Sequence, residues 1–452
     1  MFPEPQKPKM KIAVIGAKGL PPKQGGIEHH CAEIYPRMVA QGHSVDLFAR
    51  SFYTSTPGFT QHDFKGVRVT SIPCPKIGGS DVLISSLVGA ALAAGGGYDI
   101  VHFHALGPAL FSWLPRLVSP AKVVVTCHGL DWQRAKWGKL ASSAILLGEK
   151  VGVSCAHEMT VVSEALQSYF SKTYDRDSVY VPNAPATYAP SDPNFAWSES
   201  LGLTPGRYIL FLGRMVPEKC PDLVIKAFQS LQPAGWKLVL VGSDTSSAYK
   251  AQLLELADNN PNVLFAGELL GTRLAEIVRG AGLCVLPSDV EGLPMVMLEA
   301  MAEGIPIVAS DIPPHRQLLG NNRGVLFRRG DLDSCIQKME WAICNMPDLK
   351  RMAAHAKVYV RSNYNWDQIT ATFLNLYESL LVRPQQAFAN TQVAVQISQG
   401  SATLSIEANT QFKYVDADNT AEESQPVTSI KATMPLTQPV YALKTDETNS
   451  ST

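Results

Sequence analysis

Glu291 and Glu299 stand with seven residues between them in the stretch Glu291-Gly-Leu-Pro-Met-Val-Met-Leu-Glu299. Earlier, Arg214 and Lys219 close off an apolar run. Cations of this kind suit a diphosphate, and the two carboxylates suit sugar hydroxyls. The run Leu283-Cys-Val-Leu-Pro-Ser288 leads into Glu291, and Pro294 fits the first position of a helix, where its missing N–H would have no partner. Glu291 then lies in the loop and Glu299 about 7.5 Å along the helix axis. The unpaired N–H groups at that helix start would face a phosphate or a hydroxyl. The plainer alternative is an ordinary helix entry with both glutamates in water.

Three further segments offer chemistry. The first expected strand runs into Gly16-Ala-Lys-Gly19-Leu-Pro-Pro-Lys-Gln-Gly25-Gly26-Ile-Glu28. That is neither G-x-G-x-x-G nor a Walker loop, which counts against a nicotinamide enzyme and a P-loop ATPase. The Gly25-Gly26 pair still opens a helix and permits close backbone approach to an anion, or it is a simple tight turn. The fifth expected strand ends in Thr126-Cys-His128-Gly129, placing His128 on the binding edge of a sheet. There it could donate to a hydroxyl or carry charge near pH 7; His102 and His104 read as structural. Arg214 and Lys219 could together neutralise a leaving diphosphate without a metal, the alternative being a surface pair with Glu218.

Two other patterns are weaker. The tripeptides Asp175–Asp177, Asp331–Asp333 and Asp416–Asp418 do not follow strand ends at a cleft, so no metal is expected. The stretch Asp131-Trp132-Gln-Arg134-Ala-Lys136-Trp137-Gly-Lys139 could rest on an anionic membrane, or pack its indoles inward.

The elements that must hold these residues are short continuous apolar runs, which suit strands buried on both faces of a parallel sheet. They fall at 11–17, 44–50, 67–73, 99–105, 122–128, 159–163 and 179–183, with helices at 26–41, 81–94, 138–156 and 164–172. After a Pro-, Ser- and Asp-rich stretch from 182 to 193, a second series follows at 208–213, 237–242, 263–267, 283–288, 305–310 and 324–327. Helices at 221–231 and 332–345 lie between its runs. The economical architecture is two doubly wound α/β domains across a cleft, ligands binding beyond the carboxyl ends of the strands. The expected division is 1–185, 186–365, a helix over 366–383, and a tail over 384–452.

That tail has no Trp, Cys or His, and carries three Lys against seven Asp and Glu, a net of −4 that leaves +3 on the rest. Its polar composition predicts disorder, although 402–408 alternates. Across all 452 residues 46% are apolar and 17% charged, with net charge −1, a soluble globular profile that disfavours nucleic acid as the main partner. The eight cysteines include no C-x-x-C and read as small buried hydrophobes. With no signal core and no apolar run long enough to span a bilayer, a cytoplasmic protein is expected, with a peripheral contact at the inner face of the plasma membrane left open.

Taken in order, several of these segments resemble the retaining glycosyltransferases of the GT-B fold, family 4-like, a group that includes bacterial mannosyl- and rhamnosyltransferases and glycogen synthases. The segments are Gly25-Gly26-Ile-Glu28, Cys127-His128-Gly129, Val181-Pro-Asn183, Gly213-Arg214 with Glu218-Lys219, Pro287-Ser288 with Glu291 and Glu299, and Ala300 through Asp311. The resemblance implies that Arg214 and Lys219 hold a donor diphosphate beside Gly213. Glu291 would meet donor sugar hydroxyls and Glu299 the nucleotide ribose. Gly292, Leu293, Met295 and Val296 would add helix-start contacts, while His128, Gly25 and Gly26 would face the sugar from the first domain. Cys220 departs from the glycine usual there.

The implied reaction is hexose transfer with retention, from a nucleotide-diphosphate sugar to a hydroxyl of a glycan or lipid-linked acceptor in surface polysaccharide synthesis. It would need no metal or other cofactor, the leaving charge being met by Arg214, Lys219 and helix dipoles. Competing expectations are a sugar-nucleotide epimerase, an inverting transferase with His128 as base, or a silent sugar-nucleotide sensor.

Overall fold

Val123, Val124 and Val125 are all fully buried in one strand. A strand with no polar face is stable only when covered on both sides, each such side chain contributing about 1.5–3 kcal/mol. This pattern governs both halves of the chain. The computed structural model describes residues 9–22, 25–54, 58–75, 79–134, 138–243 and 247–382, and the backbone of three strands beyond them.

The first lobe contains β1 (Lys11–Ile15), β2 (Ser44–Arg50), β3 (Thr60–Phe64), β4 (Val67–Ile72), β5 (Ile100–His104), β6 (Lys122–Cys127), β7 (Glu158–Val161) and β8 (Val179–Tyr180). They form one sheet in the order β3-β4-β2-β1-β5-β6-β7-β8. All pairs are parallel except β3 with β4. The sequence reading passes over β3, so the strand ending at His128 is sixth rather than fifth. The reason is physical. Thr60-Gln-His-Asp-Phe64 is polar and lies at the sheet edge, where only partial burial is required.

The second lobe contains β9 (Tyr208–Leu212), β10 (Lys237–Val241), β11 (Val263–Gly267), β12 (Leu283–Leu286), β13 (Ile307–Ser310) and β14 (Val325–Phe327). Its all-parallel order is β11-β10-β9-β12-β13-β14. The strand order reverses beside β1 and β9, the position at which α/β sheets open a crevice.

The helix Trp366–Val382 returns to the first lobe and packs on the helix Gly26–Ala40. Phe373 meets the His30 ring at 5.7 Å between centroids, and Arg37 pairs with Asp367 at 2.8 Å. At the chain crossing, the Trp366 indole donates to the Pro185 carbonyl at 3.1 Å.

Within the tail read as disordered, the structure describes three strands, β15 (Thr391–Ser398), β16 (Ser401–Ala408) and β17 (Ile430–Pro435), paired antiparallel in that order. The alternation noted over 402–408 falls on β16, and period-two patterning is what a strand requires. No helix among the described residues is long and apolar enough to cross a membrane.

Candidate functional site

The second lobe brings together loops from the ends of β9 and β12. Gly213 follows β9, and its carbonyl lies 1.8 Å from where a Cβ on Gly242 would stand, so these backbones approach as only glycine allows. Arg214 comes next, with no carboxylate paired to its guanidinium among the described residues. Burial lowers its pKa, with Arg134 adding to the effect, while Glu218, Glu291 and Asp131 oppose it. The expected alternative of a surface pair with Glu218 does not form. Glu218 is buried, and neither carboxylate oxygen has a hydrogen-bond partner among the described residues.

Lys219 ends a short 3-10 turn and pairs its Nζ with Glu291 Oε1. Burial alone would raise the Glu291 pKa, but Lys219, His315 and a hydrogen bond from Ser288 hold it below the usual range. The Lys–Glu contact joins two residues to which the resemblance gives separate partners. Cys220 sits at φ 49°, ψ 44°, left-handed. That conformation explains why a glycine suits the position, and it leaves both cations in place. Cys220→Gly is expected to raise stability by about 0.5–1 kcal/mol, the relief of left-handed strain being partly offset by glycine's chain entropy. The readout is the denaturation midpoint, and lowered stability would refute the strain argument.

The helix carrying Glu299 runs from Met295 to Glu303, and Pro294 is its cap rather than its first residue. With ψ at 106°, Pro294 is extended, and its carbonyl accepts from Met297 and Leu298 at 3.1 and 3.2 Å. The Met295 and Val296 amides are therefore the helix-start donors that no intrahelical carbonyl reaches. Glu299 accepts from the Tyr188 hydroxyl at 2.7 Å, and burial raises its pKa. It thereby ties the interlobe segment to the helix.

The first lobe meets this surface at two glycine contacts. A Cβ on Gly292 would lie 1.9 Å from the His128 carbonyl oxygen, and one on Gly26 would lie 3.4 Å from Met295 Cγ. Gly25, at φ 97°, turns the loop over Glu28, whose carboxylate accepts from the Lys18 amide at 2.8 Å. Hence His128, Gly26, Gly292 and Met295 converge where the lobes touch, with Gly25 and Leu293 as their neighbours along the chain. Sequence reasoning gave no role to Lys18. Burial lowers its pKa, and Arg214, Arg50 and Arg134 add to that effect, while Glu28 opposes it. Lys18 and Arg214 thus occupy equivalent loop positions, after the first strand of each lobe, without an ion-pair partner among the described residues. The signal available was a Lys three residues beyond β1.

His128 is not disposed to carry charge near pH 7. Burial drives its pKa well below the ordinary value, with His30 and His102 adding to the effect. His102 and His104 are wholly buried, and His104 hydrogen-bonds His128 directly at 2.9 Å between Nδ1 and Nε2.

The family model described as Glycosyl transferase 4-like domain matches residues 25–190, and the one described as Glycosyl transferases group 1 matches residues 195–359. The chain belongs to the glycosyltransferases. Among curated relatives of this glycosyltransferase is the D-inositol 3-phosphate glycosyltransferase of Rhodococcus erythropolis. It is 26% identical over 417 residues, 82% of this chain and 92% of the relative. An uncharacterized glycosyltransferase of Methanocaldococcus jannaschii is 24% identical over 398 residues, 82% of this chain and 98% of the relative. Sucrose-phosphate synthase from Thermosynechococcus elongatus shares the fold at TM-score 0.72 and 21% identity, covering 82% of this chain and 99% of that one. Anabaena HepE in complex with UDP and glucose does so at 0.67 and 18%, covering 82% and 100%. The fold of the glycosyltransferase is GT-B, two Rossmann-like domains with parallel sheets.

The remaining sequence patterns take other parts. Asp331 caps the helix Leu332–Cys344, accepting from the Ser334 amide at 2.8 Å. Asp175 ends the helix Glu164–Tyr174, and residues 416–418 lie outside the described residues. Among the described residues no group of three His, Cys, Asp or Glu is placed to hold a metal ion. Trp132 donates its indole N–H at 3.0 Å to Glu149, a buried carboxylate that also accepts from Tyr169 and Tyr174. Partly buried, it packs against the core, and Trp137 lies outside the described residues.

Proposed function

We propose that this glycosyltransferase moves a hexose from a nucleotide-diphosphate sugar to a hydroxyl of a glycan or lipid-linked acceptor, with retention, in the synthesis of a surface polysaccharide. The observation that carries the reading is the pair of cations, Lys18 and Arg214, at matching strand ends of the two lobes, neither with an ion-pair partner among the described residues. Half-buried cations without carboxylates favour an anionic ligand, because an unpaired buried charge is costly. The Met295 and Val296 amides add the positive end of a helix. That HepE has been captured with UDP and glucose supports a donor of this class.

In this reading, Arg214 and Lys219 meet the charge that grows on the leaving diphosphate, and a diphosphate oxygen takes the acceptor proton. Glu291, held ionised by Lys219, accepts from sugar hydroxyls, and Glu299 faces the nucleotide ribose. Neither metal nor cofactor is required by this division of labour. An inverting route would need His128 as base, and its depressed pKa makes it a poor one.

The test is turnover with a panel of UDP-, GDP- and dTDP-sugars, followed by NMR of the anomeric configuration. Retention is expected. An inverted product would overturn the stereochemical part, epimerised free donor would support an epimerase, and binding without turnover would leave a sensor.

A further inference from the structure

We propose that the Tyr188 hydroxyl and the Ala186 amide, both on the interlobe segment, set the plane of the Glu299 carboxylate so that it accepts a ribose hydroxyl of the donor. Tyr188 is then a positioning residue for a ribonucleoside diphosphate. The ribose end of this inference rests on the reading given under Proposed function; the orientation of the carboxylate does not.

The last torsion of a glutamate side chain is broad, so the helix alone does not fix where its oxygens point. Two donors do. Glu299 Oε2 accepts from the Tyr188 hydroxyl at 2.7 Å, and the Ala186 amide donates to the same carboxylate. Donors prefer to lie near the plane of an sp² oxygen group, so two of them from one segment hold that plane. The amide can only donate, and burial raises the Tyr188 phenol well above its ordinary value, which keeps its proton on oxygen. Burial also raises the Glu299 pKa, and both bonds act against that rise by favouring the ionised acceptor.

The segment that carries Tyr188 is itself fastened to the helix Met295–Glu303. Glu303 lies four residues beyond Glu299, on the same helix face, and pairs with Arg279 at 3.0 Å. Arg279 Nη1 in turn donates to the Ala189 carbonyl and to Ser191 Oγ, both at 2.8 Å. Residues 186–191 are therefore tied to the helix at two heights, one turn apart. Tyr188 donates from a fixed post.

Two protein donors do not exhaust a carboxylate, which offers about four lone-pair sites, and Glu299 is only partly buried. Glu299 follows the Met295 amide by one helical turn, about 6 Å along the axis. Amides for a diphosphate at the helix start and an acceptor one turn on match the order of anion and hydroxyls along a nucleoside diphosphate. Without the Tyr188 hydroxyl, only the Ala186 amide restrains the carboxylate, and binding must first order it.

The experiment is calorimetric titration of the full chain with UDP and GDP, each as the ribonucleotide and as its 2′-deoxy and 3′-deoxy forms. Wild type should bind a ribonucleotide about tenfold more tightly than the form lacking the hydroxyl that Glu299 accepts. Tyr188→Phe should weaken the ribonucleotide about tenfold and shrink that preference to about two- to threefold. Because Tyr188 acts through Glu299, adding Tyr188→Phe to Glu299→Gln should change affinity no further. The double variant also carries the test if Tyr188→Phe alone folds poorly, since it removes the charge together with its donor. A further loss in the double variant overturns the proposal, and so does a Tyr188→Phe loss equal for ribo and deoxy forms. If Glu299→Gln abolishes the preference and Tyr188→Phe leaves it intact, the positioning role alone fails. If Glu299→Gln weakens all forms alike, the placing of ribose at Glu299 fails, and this proposal with it.

Discussion

Lys219→Ala is expected to lower turnover about 100- to 1,000-fold, the effect of removing one preorganised charge from a developing anion. The same change leaves Glu291 without its partner in a site where only 12% of its side chain is exposed. An orphaned carboxylate at such a site costs about 3–5 kcal/mol. The single variant therefore loses stability as well as activity, and Lys219→Ala with Glu291→Gln separates the two. The double variant should regain most of the stability and none of the turnover. Near-normal turnover in the single variant would remove Lys219 from the chemistry.

The pH dependence follows from the same pair. The Glu291 pKa is lowered in the folded chain, so the pair's contribution is fully present above the ordinary carboxylate range. It is lost as pH falls through the lowered folded value. An acid limb in kcat assigned to this pair should therefore lie below the usual glutamate range. In Lys219→Ala it should move upward, because burial then acts unopposed.

Gly292→Ala is expected to cut kcat/KM about 100-fold while leaving each lobe folded. The added Cβ would meet the His128 carbonyl oxygen at 1.9 Å and its carbon at 2.8 Å, both backbone atoms that cannot rotate aside. Only displacement of one lobe from the other relieves the clash, and a shift of about 1 Å between reacting groups can account for a loss of that size. Gly95→Ala is the control, since a Cβ there meets nothing within 4 Å. Equal activities for the two variants would show that the contact of Gly292 with His128 does not set the geometry of catalysis.

The fold was legible because its signals are local. Buried parallel strands need unbroken apolar runs, and Lys122–Cys127 or Tyr208–Leu212 could hardly be anything else. Arg214 and Lys219 were legible because they follow such a run directly. What escaped was set by contacts distant in sequence. Lys219 and Glu291 meet across 72 positions, so neither segment announces the other. His102 and Tyr377 are separated by 275, and their hydrogen bond joins the returning helix to the first sheet. Pro294 was misplaced by one residue because a helix cap depends on ψ, which composition does not encode. Lys18 was overlooked because a single lysine in a loop has no pattern; its meaning comes from the cations that surround it.

The bond from the Trp366 indole to the Pro185 carbonyl joins the outgoing and returning strands of chain where they pass between the lobes. Two crossings fastened side by side act as a door pin. They leave swinging about one axis as the cheap relative motion and resist both sliding and torsion. A nick in the polypeptide near residue 190 should therefore not release the halves, which would stay mated through the second crossing.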